Sequence, residues 1–294
     1  MKRVMLQSMM SLFVAVGLTC CCAGSDSRDV TIAVSIPPQA TLLKQIAGDS
    51  ARVVTLMGAQ ANPESFEVTV SSMRDISGAD MYMTMGNLPF EAVVTGRIAD
   101  ASGRLRFVDV GRGVDLIYGT HCHEGHGHDH SQGDEAADPH IWTSAVNLKI
   151  IAGNMLKALV SLDPANAAYY TSNHAALVRR LDSLDSVIRH NIQLSGNRTF
   201  LIWHPSLSYF ARDYGLQQIS LGQDNKELTP RQIVEFRNEA LHNGASTMFI
   251  QQNFDARQAG TLSHDLGLDV VSINPLDPDY EAQFNIITDA ITRK

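Results

Sequence analysis

Thirty consecutive residues, Ala165 to Leu194, contain neither glycine nor proline, in a chain of 294 residues that holds 21 glycines and 10 prolines. Asp163-Pro164 ahead of the run is a helix start, and Gly196 beyond it is a stop. Leu177, Leu181, Leu184, Ile188 and Ile192 recur at spacings of three and four, so one stripe of the predicted helix is apolar and needs covering. At 1.5 Å of rise per residue such a helix is about 45 Å long. It is long enough to act as a stiff strut between two bodies. Two shorter helices broken near Asn173-His174 are the alternative.

The flanking sequence supplies those bodies. β-rich runs fall at Val30–Ile36, Arg52–Met57, Met81–Met85 and Leu105–Val110, with helical segments at Ala40–Ala47, Thr69–Ser77 and Glu91–Ala101. The second half repeats the rhythm, with strands at Thr199–His204, Leu216–Leu221, Thr247–Gln252 and Asp269–Asn274. Its helices are Ser206–Tyr214, Pro230–Asn243, Ala256–Leu266 and Tyr280–Ile291. Strands alternating with helices predict parallel sheets covered on both faces. The expected fold is therefore α/β, with two lobes, each a four-stranded mostly parallel sheet flanked by helices, joined by one long linking helix. The divisions are 1–21 for a signal peptide, 28–143 for an amino-terminal lobe, 144–196 for a helical connector containing the helix 165–194, and 197–294 for a carboxyl-terminal lobe.

The first residues read as an address. Met1-Lys2-Arg3 and a short apolar run to Thr19 precede Cys20, Cys21 and Cys22 and then small polar residues, the pattern of an export signal. Cysteine at the cut point makes it a lipoprotein signal, with Cys21 the best fit for acylation and Cys20 and Cys22 the alternatives. Beyond this run no apolar stretch approaches the length of a membrane span. With the three clustered cysteines assigned to the signal and its processing site, only Cys122 is left in the mature body, which excludes an intramolecular disulfide framework. A formal charge of −8 argues against a nucleic-acid partner.

Open α/β sheets take ligands beyond the carboxyl ends of their strands, and metal-capable residues occur there. His204 ends a strand, Asn274 ends the last strand with Asp277 three residues on, and Glu64 lies in the polar loop Gly58–Ser65. His140 stands just ahead of the helical connector. Two imidazoles with carboxylate oxygens suit a first-row divalent ion. The two tryptophans, Trp142 and Trp203, flank the two histidines and are either a dry wall around the site or ordinary core aromatics. Five of the 11 histidines, His121, His123, His126, His128 and His130, crowd into ten residues with glycine and acidic neighbours, an auxiliary loop able to collect metal loosely or else a polar linker. His174, His190, His242 and His264 are expected on solvated helical surfaces, and Arg179-Arg180 with Asp182 and Asp185 on a solvent face or a lobe contact.

Taken together, Asn62-Pro63-x-Ser65-Phe66-Glu67, Asp138-Pro139-His140-Ile141-Trp142, His204-Pro205-x-x-x-Tyr209-Phe210 and Asn274-Pro275-Leu276 resemble the zinc/manganese-type solute-binding proteins of bacterial ABC importers. The likeness covers almost all of the mature chain, and the His-rich loop is most similar to the zinc-uptake branch. It implies two α/β lobes joined by one long helix, a single ion between them, and delivery of that ion to a membrane permease. His140 and His204 match two ligand histidines of the family. Glu64 stands where the family places its first histidine, Asn274 where it places an acidic ligand, and Gln251 where an acidic residue often follows a strand of the second lobe. Either Asp277 or water is then expected to complete the shell.

The expected function is non-enzymatic capture of Zn2+, with Mn2+ as the alternative ion, by a monomer that is exported and lipid-anchored at the periplasmic side or cell surface. Ligand imidazoles bind metal deprotonated, so affinity is expected to fall as pH drops through the imidazole range near about 6.5. A surface adhesin and a metallohydrolase using Glu64 as base are the competing classes. Against the hydrolase, the chain has no His-Glu-x-x-His or Gly-x-Ser-x-Gly motif, and Gly111-Arg-Gly113 lacks the third glycine of a phosphate loop.

Overall fold

The apolar stripe of the strut is covered from both ends. The computed structural model describes residues 30–99, 105–119, 136–220, 229–251 and 267–293, so the amino-terminal cysteines, Cys122, the His-rich loop, His264 and the helix expected at 256–266 lie outside the described residues. Strands β1 (Val30–Val34), β2 (Ala51–Thr55), β3 (Met81–Thr84) and β4 (Arg106–Asp109) form one sheet in the order β2-β1-β3-β4. Strands β5 (Thr199–Ile202), β6 (Gln217–Ser220), β7 (Thr247–Gln251) and β8 (Asp269–Ile273) form a second in the order β6-β5-β7-β8. Every pairing within the two sheets is parallel. The two halves thus repeat one topology, and each places its switch point, where strand order reverses, between its first and third strands.

Helices α1 (Pro37–Ala47), α2 (Val70–Ser77) and α3 (Pro89–Ala99) serve the first sheet. Helices α4 (Ala145–Leu162) and α5 (Ala167–Ser195) connect the halves, and α6 (Ser208–Tyr214), α7 (Pro230–His242) and α8 (Tyr280–Thr292) serve the second. The strut α5 runs unbroken past Asn173 and His174, after a single tight turn at Pro164–Asn166. Gly196 ends it with φ +75°, a left-handed conformation glycine adopts without penalty. Leu177, Leu181, Ile188 and Ile192 are buried, against α1 and α4 on one side and α6 and α8 on the other. Burying a side chain of that size is worth about 1.5–3 kcal/mol. One apolar cluster consequently runs from β1 through α4 and α5 to Phe210 and Phe284 of the second half, and a smaller one with Trp203 covers the other face of the second sheet.

Helix α4 lies in the expected helical connector 144–196, but its apolarity was not expected. Its 18 residues have a mean hydropathy of 1.3, long and apolar enough to cross a membrane by length and composition, which corrects the expectation that no second such run exists. Here Leu148, Ile151, Ala152, Met155 and Leu159 enter the core shared with α1 and α5. Ser144 caps the helix by accepting from the N–H of Asn147 at 3.1 Å, and its hydroxyl also bonds Asp213 at the end of α6. On the outer side of α5, Arg180 pairs with Glu281 of α8, and Lys149 of α4 reaches Asp182 at 2.8 Å, so those charges are contacts between elements. His190 and His242 are exposed as expected, whereas His174 is half-buried and burial holds its imidazole below the ordinary range.

The strands end a residue or two before their apolar runs do, because the chain turns aside at the carboxyl edge. At the first switch point the crevice is filled from within. Glu91, 4% exposed on α3, accepts from the N–H groups of Met85 at 2.7 Å and Gly86 at 2.8 Å and bonds the Ser35 hydroxyl, which in turn meets the Tyr82 phenol at 2.8 Å. Gly111 has a packing role here, since a Cβ on it would stand 2.1 Å from the Met85 carbonyl oxygen. Burial, opposed by those hydrogen bonds, pushes the Glu91 carboxyl up to about 7. A carboxyl raised in the folded state favours folding while protonated, and that stability is lost as pH rises from the carboxylate range through about 7. Glu91→Gln fixes the neutral form. The melting temperature of metal-free wild type, measured in chelator, is therefore expected to fall relative to that of the variant between pH 5 and 8; a difference independent of pH counts against this assignment.

Candidate metal centre

Three side chains expected to share a site do meet. Glu64, His140 and His204 bring one ligand atom each to within 4.8 Å of one another. They arrive from different parts of the fold. Glu64 lies in the loop between β2 and α2, where Asn62 accepts from its N–H at 2.9 Å in a local turn. The loop is pinned further on by Phe66, whose ring packs edge-on against Phe90 of α3 at 5.0 Å. His140 precedes the tight turn Ile141–Thr143 that leads into α4. His204 follows the end of β5, at the switch point of the second sheet, and its carbonyl accepts from the N–H of Ser206 at 2.7 Å.

His140 is the most constrained of the three. It is 2% exposed, and its Nδ1 lies 2.9 Å from Asp138 Oδ1, an oxygen that also accepts the backbone N–H of His140 at 2.9 Å. Asp138 is itself fully buried, and Tyr209 donates to its carbonyl at 2.8 Å. Burial alone would push the Asp138 carboxyl up, but the hydrogen bonds and charge interaction with His140, helped by Ser208, hold it below the usual carboxylate range. It therefore remains an anion behind the imidazole. Burial keeps the Tyr209 phenol protonated, raised to about 12, so it remains a donor to that carbonyl. With Nδ1 committed to a carboxylate, Nε2 is the nitrogen His140 can offer to an ion.

The rings of His140 and His204 stand nearly perpendicular with centroids 5.2 Å apart, and His204 Nε2 lies 3.4 Å from Glu64 Oε1. Nitrogen, nitrogen and carboxylate oxygen thus converge at ion-binding separation, with Glu64 and His204 each partly exposed and His140 at the back. Trp142 stands 5.2 Å from His140 and donates through Nε1 to the Pro275 carbonyl at 2.8 Å, so it is both core aromatic and wall. Trp203 belongs to the smaller core cluster behind His204.

The other expected donors are turned to other work. Asp277 is not in the group of three, and its Oδ1 accepts the N–H of Asp279 at 2.8 Å at the approach to α8. The Oδ1 of Asn274 accepts from the N–H of Leu276 at 3.0 Å, and its Nδ2 donates to the Ala59 carbonyl at 3.2 Å. Gln251 donates to Ser206 Oγ at 2.7 Å. The residue that sequence reasoning passed over is Asp138. It was visible as part of Asp138-Pro139-His140, but its hold on the imidazole depends on a backbone turn that spacing alone does not reveal.

Known proteins share this two-lobed architecture. The profile of the family described as zinc-uptake complex component A, periplasmic (ZnuA), matches residues 32–293. The high-affinity zinc uptake system protein ZnuA of Bacillus subtilis (strain 168) is 24% identical over 258 residues, which is 87% of this chain and 81% of that protein. A crystal structure of ZnuA superposes with a TM-score of 0.80 at 27% identity, covering 90% of this chain and 98% of its own. A ZnuA deletion mutant with zinc bound gives a TM-score of 0.78 at 27% identity, covering 91% and 100%. Two parallel four-stranded lobes linked by one long helix, with the family profile running through nearly all of both, lead to one statement: this chain belongs to the ZnuA family of periplasmic zinc-uptake components.

Proposed function

We propose that the chain captures Zn2+ between its lobes through Glu64, His140 and His204 and passes it to the permease of an ABC importer. The observation that carries this reading is the convergence of the three ligand atoms within 4.8 Å, one of them on an imidazole already oriented by a buried carboxylate. Two nitrogen donors and one carboxylate oxygen suit Zn2+; Mn2+ is the second ion to test, because harder oxygen-rich shells favour it. With Asp277 and Asn274 bonded elsewhere, a water molecule is the fourth ligand in this reading, which leaves the ion accessible for transfer. Glu64 acts as ligand and not as base, so no catalytic step is assigned.

The wider assignments follow from the sequence. Residues 28–143 and 197–294 form the two jaws, with 144–196 between them. The mature chain is exported, acts as a monomer, and is held to a membrane by a lipid on Cys21. Residues His121, His123, His126, His128 and His130 gather additional ions loosely without taking part in tight binding.

Elemental analysis of the mature wild type is expected to find about one tightly held ion, with weaker ions lost on deleting residues 121–130. In competitive titration, His140→Ala/His204→Ala should weaken Zn2+ binding by more than about a hundredfold, beyond the range seen when only a partner of a metal ligand is removed. Unchanged affinity in that double variant removes the site. Asp138→Asn keeps the shape and an acceptor but deletes the charge, and the expected result is an affinity about 10- to 100-fold lower. Wild-type affinity in Asp138→Asn would show that the imidazole needs no anion behind it.

A further inference from the structure

The turn that begins at Asn274 touches both segments that carry donors from the first half of the chain. Asn274 Nδ2 donates to the carbonyl of Ala59, in the loop that leads to Glu64. The next residue, Pro275, accepts at its carbonyl from Trp142, two positions after His140. The orientation of the Asn274 amide is dictated from both sides. Leu276 presents a backbone N–H, which only Oδ1 can accept, and Ala59 presents a carbonyl, which only Nδ2 can satisfy. The Asn274 backbone is in turn fixed to α8, where Gln283 Oε1 accepts its N–H at 2.9 Å. Close by, Tyr280 at the start of α8 reaches back to Gln45 of α1 at 2.8 Å.

We propose that Asn274 is a positioning residue for metal capture: it supplies no ligand atom, but clamps the Glu64-bearing loop of the first lobe to the turn of the second, so that the carboxylate arrives already placed. The proposal rests on Glu64 being a ligand. The loop from Leu56 to Thr69 contains neither helix nor strand, so its course depends on individual bonds such as this one. Asn274 is 7% exposed, and a hydrogen bond shielded from water in this way resists opening. An aspartate at the same position keeps the acceptor for Leu276 but sets a carboxylate oxygen against the Ala59 carbonyl. The loop would then be pushed off the second lobe even as a potential metal ligand is added. Donor chemistry and clamping therefore make opposite predictions for one substitution.

The experiment is a double-mutant cycle on the full mature chain, reading Zn2+ affinity by chelator competition and the melting temperature of the metal-free protein. Asn274→Asp is expected to weaken Zn2+ binding about tenfold in the wild-type background, the scale of losing one buried neutral hydrogen bond and gaining a repulsion. In the Glu64→Ala background the same substitution should change affinity less than about twofold, because the loop no longer carries a donor to position. Asn274→Ala removes both bonds without adding charge and is expected to show the same coupling, which keeps the test open if the aspartate variant fails to fold. Unchanged or tighter binding in Asn274→Asp overturns the clamp, as does a lower melting temperature with unaltered affinity, or an equal loss in both backgrounds. If Glu64→Ala itself binds as wild type, Glu64 is not a ligand and the proposed site fails first; if Glu64→Ala weakens binding and Asn274→Asp does not, only the clamp fails.

Discussion

Two sheets can hold one ion between them only if their carboxyl edges keep a fixed separation, and here that separation is set by apolar packing along a single helix. Leu177, Leu181, Ile188 and Ile192 of α5 are buried against helices that belong to both halves. The main cluster does not stop at a lobe boundary; it passes from Ile32 and Leu43 through Met155 and Leu181 to Phe210 and Phe284. Packed interiors transmit displacement because they have few voids to absorb it. A shift of one sheet against the other would open that core, so the polar seam above it inherits its alignment. Trp142 to Pro275, Asn274 to Ala59 and Tyr280 to Gln45 are bonds between groups that the core has already brought to within reach.

Two buried carboxyls show how local partners decide what a charge does inside this frame. Glu91 is enclosed by neutral groups, a hydroxyl and two backbone N–H donors, and burial dominates, raising its carboxyl toward neutrality. Asp138 is just as hidden, but it faces an imidazole and accepts two hydrogen bonds from the same residue, which more than offset its burial. The first carboxyl is spent on bonds at the switch point of its own sheet. The second remains charged and makes the histidine in front of it a stronger base toward a cation. The equivalent point of the second sheet is occupied by His204 and the Gln251–Ser206 pair, and there His204 meets Glu64 and His140 of the first half.

The fold was legible in the sequence because its signals are periodic and additive. The stripe on α5 and the alternation of strands with helices each rest on many residues, and the strands lie within a residue or two of the runs that announced them. Helix α4 falls inside the helical connector expected at 144–196, but its own bounds were not announced, because a helix apolar over most of its surface gives a weaker pattern than a single stripe. Of the candidate donors, His204 stood out at a strand end, Glu64 in a polar loop after a strand and His140 ahead of the connector, and these three lie within reach of one another. The roles of Asp277 and Asn274 could not be read that way. A carboxylate three residues beyond a strand can face a cleft or cap the next turn, and only the backbone path, here the bend in which Asp277 N–H bonds the Asn274 carbonyl, decides between them.

That bend also explains why an amide, not a carboxylate, is physically consistent with this version of the site. Glu64 already brings one negative charge beside two neutral imidazoles, so an ion bound by the three would retain a net positive charge and attract a further anion or polarise a water molecule. A second carboxylate at position 274 would neutralise it, but at a place where the neighbouring lobe presents a carbonyl oxygen that needs a donor. Asn274 meets the backbone requirement and forgoes the charge. In the proposed site a structural bond and a ligand bond would compete for the side chain at position 274, and the anionic donor then falls to Glu64 on the other lobe.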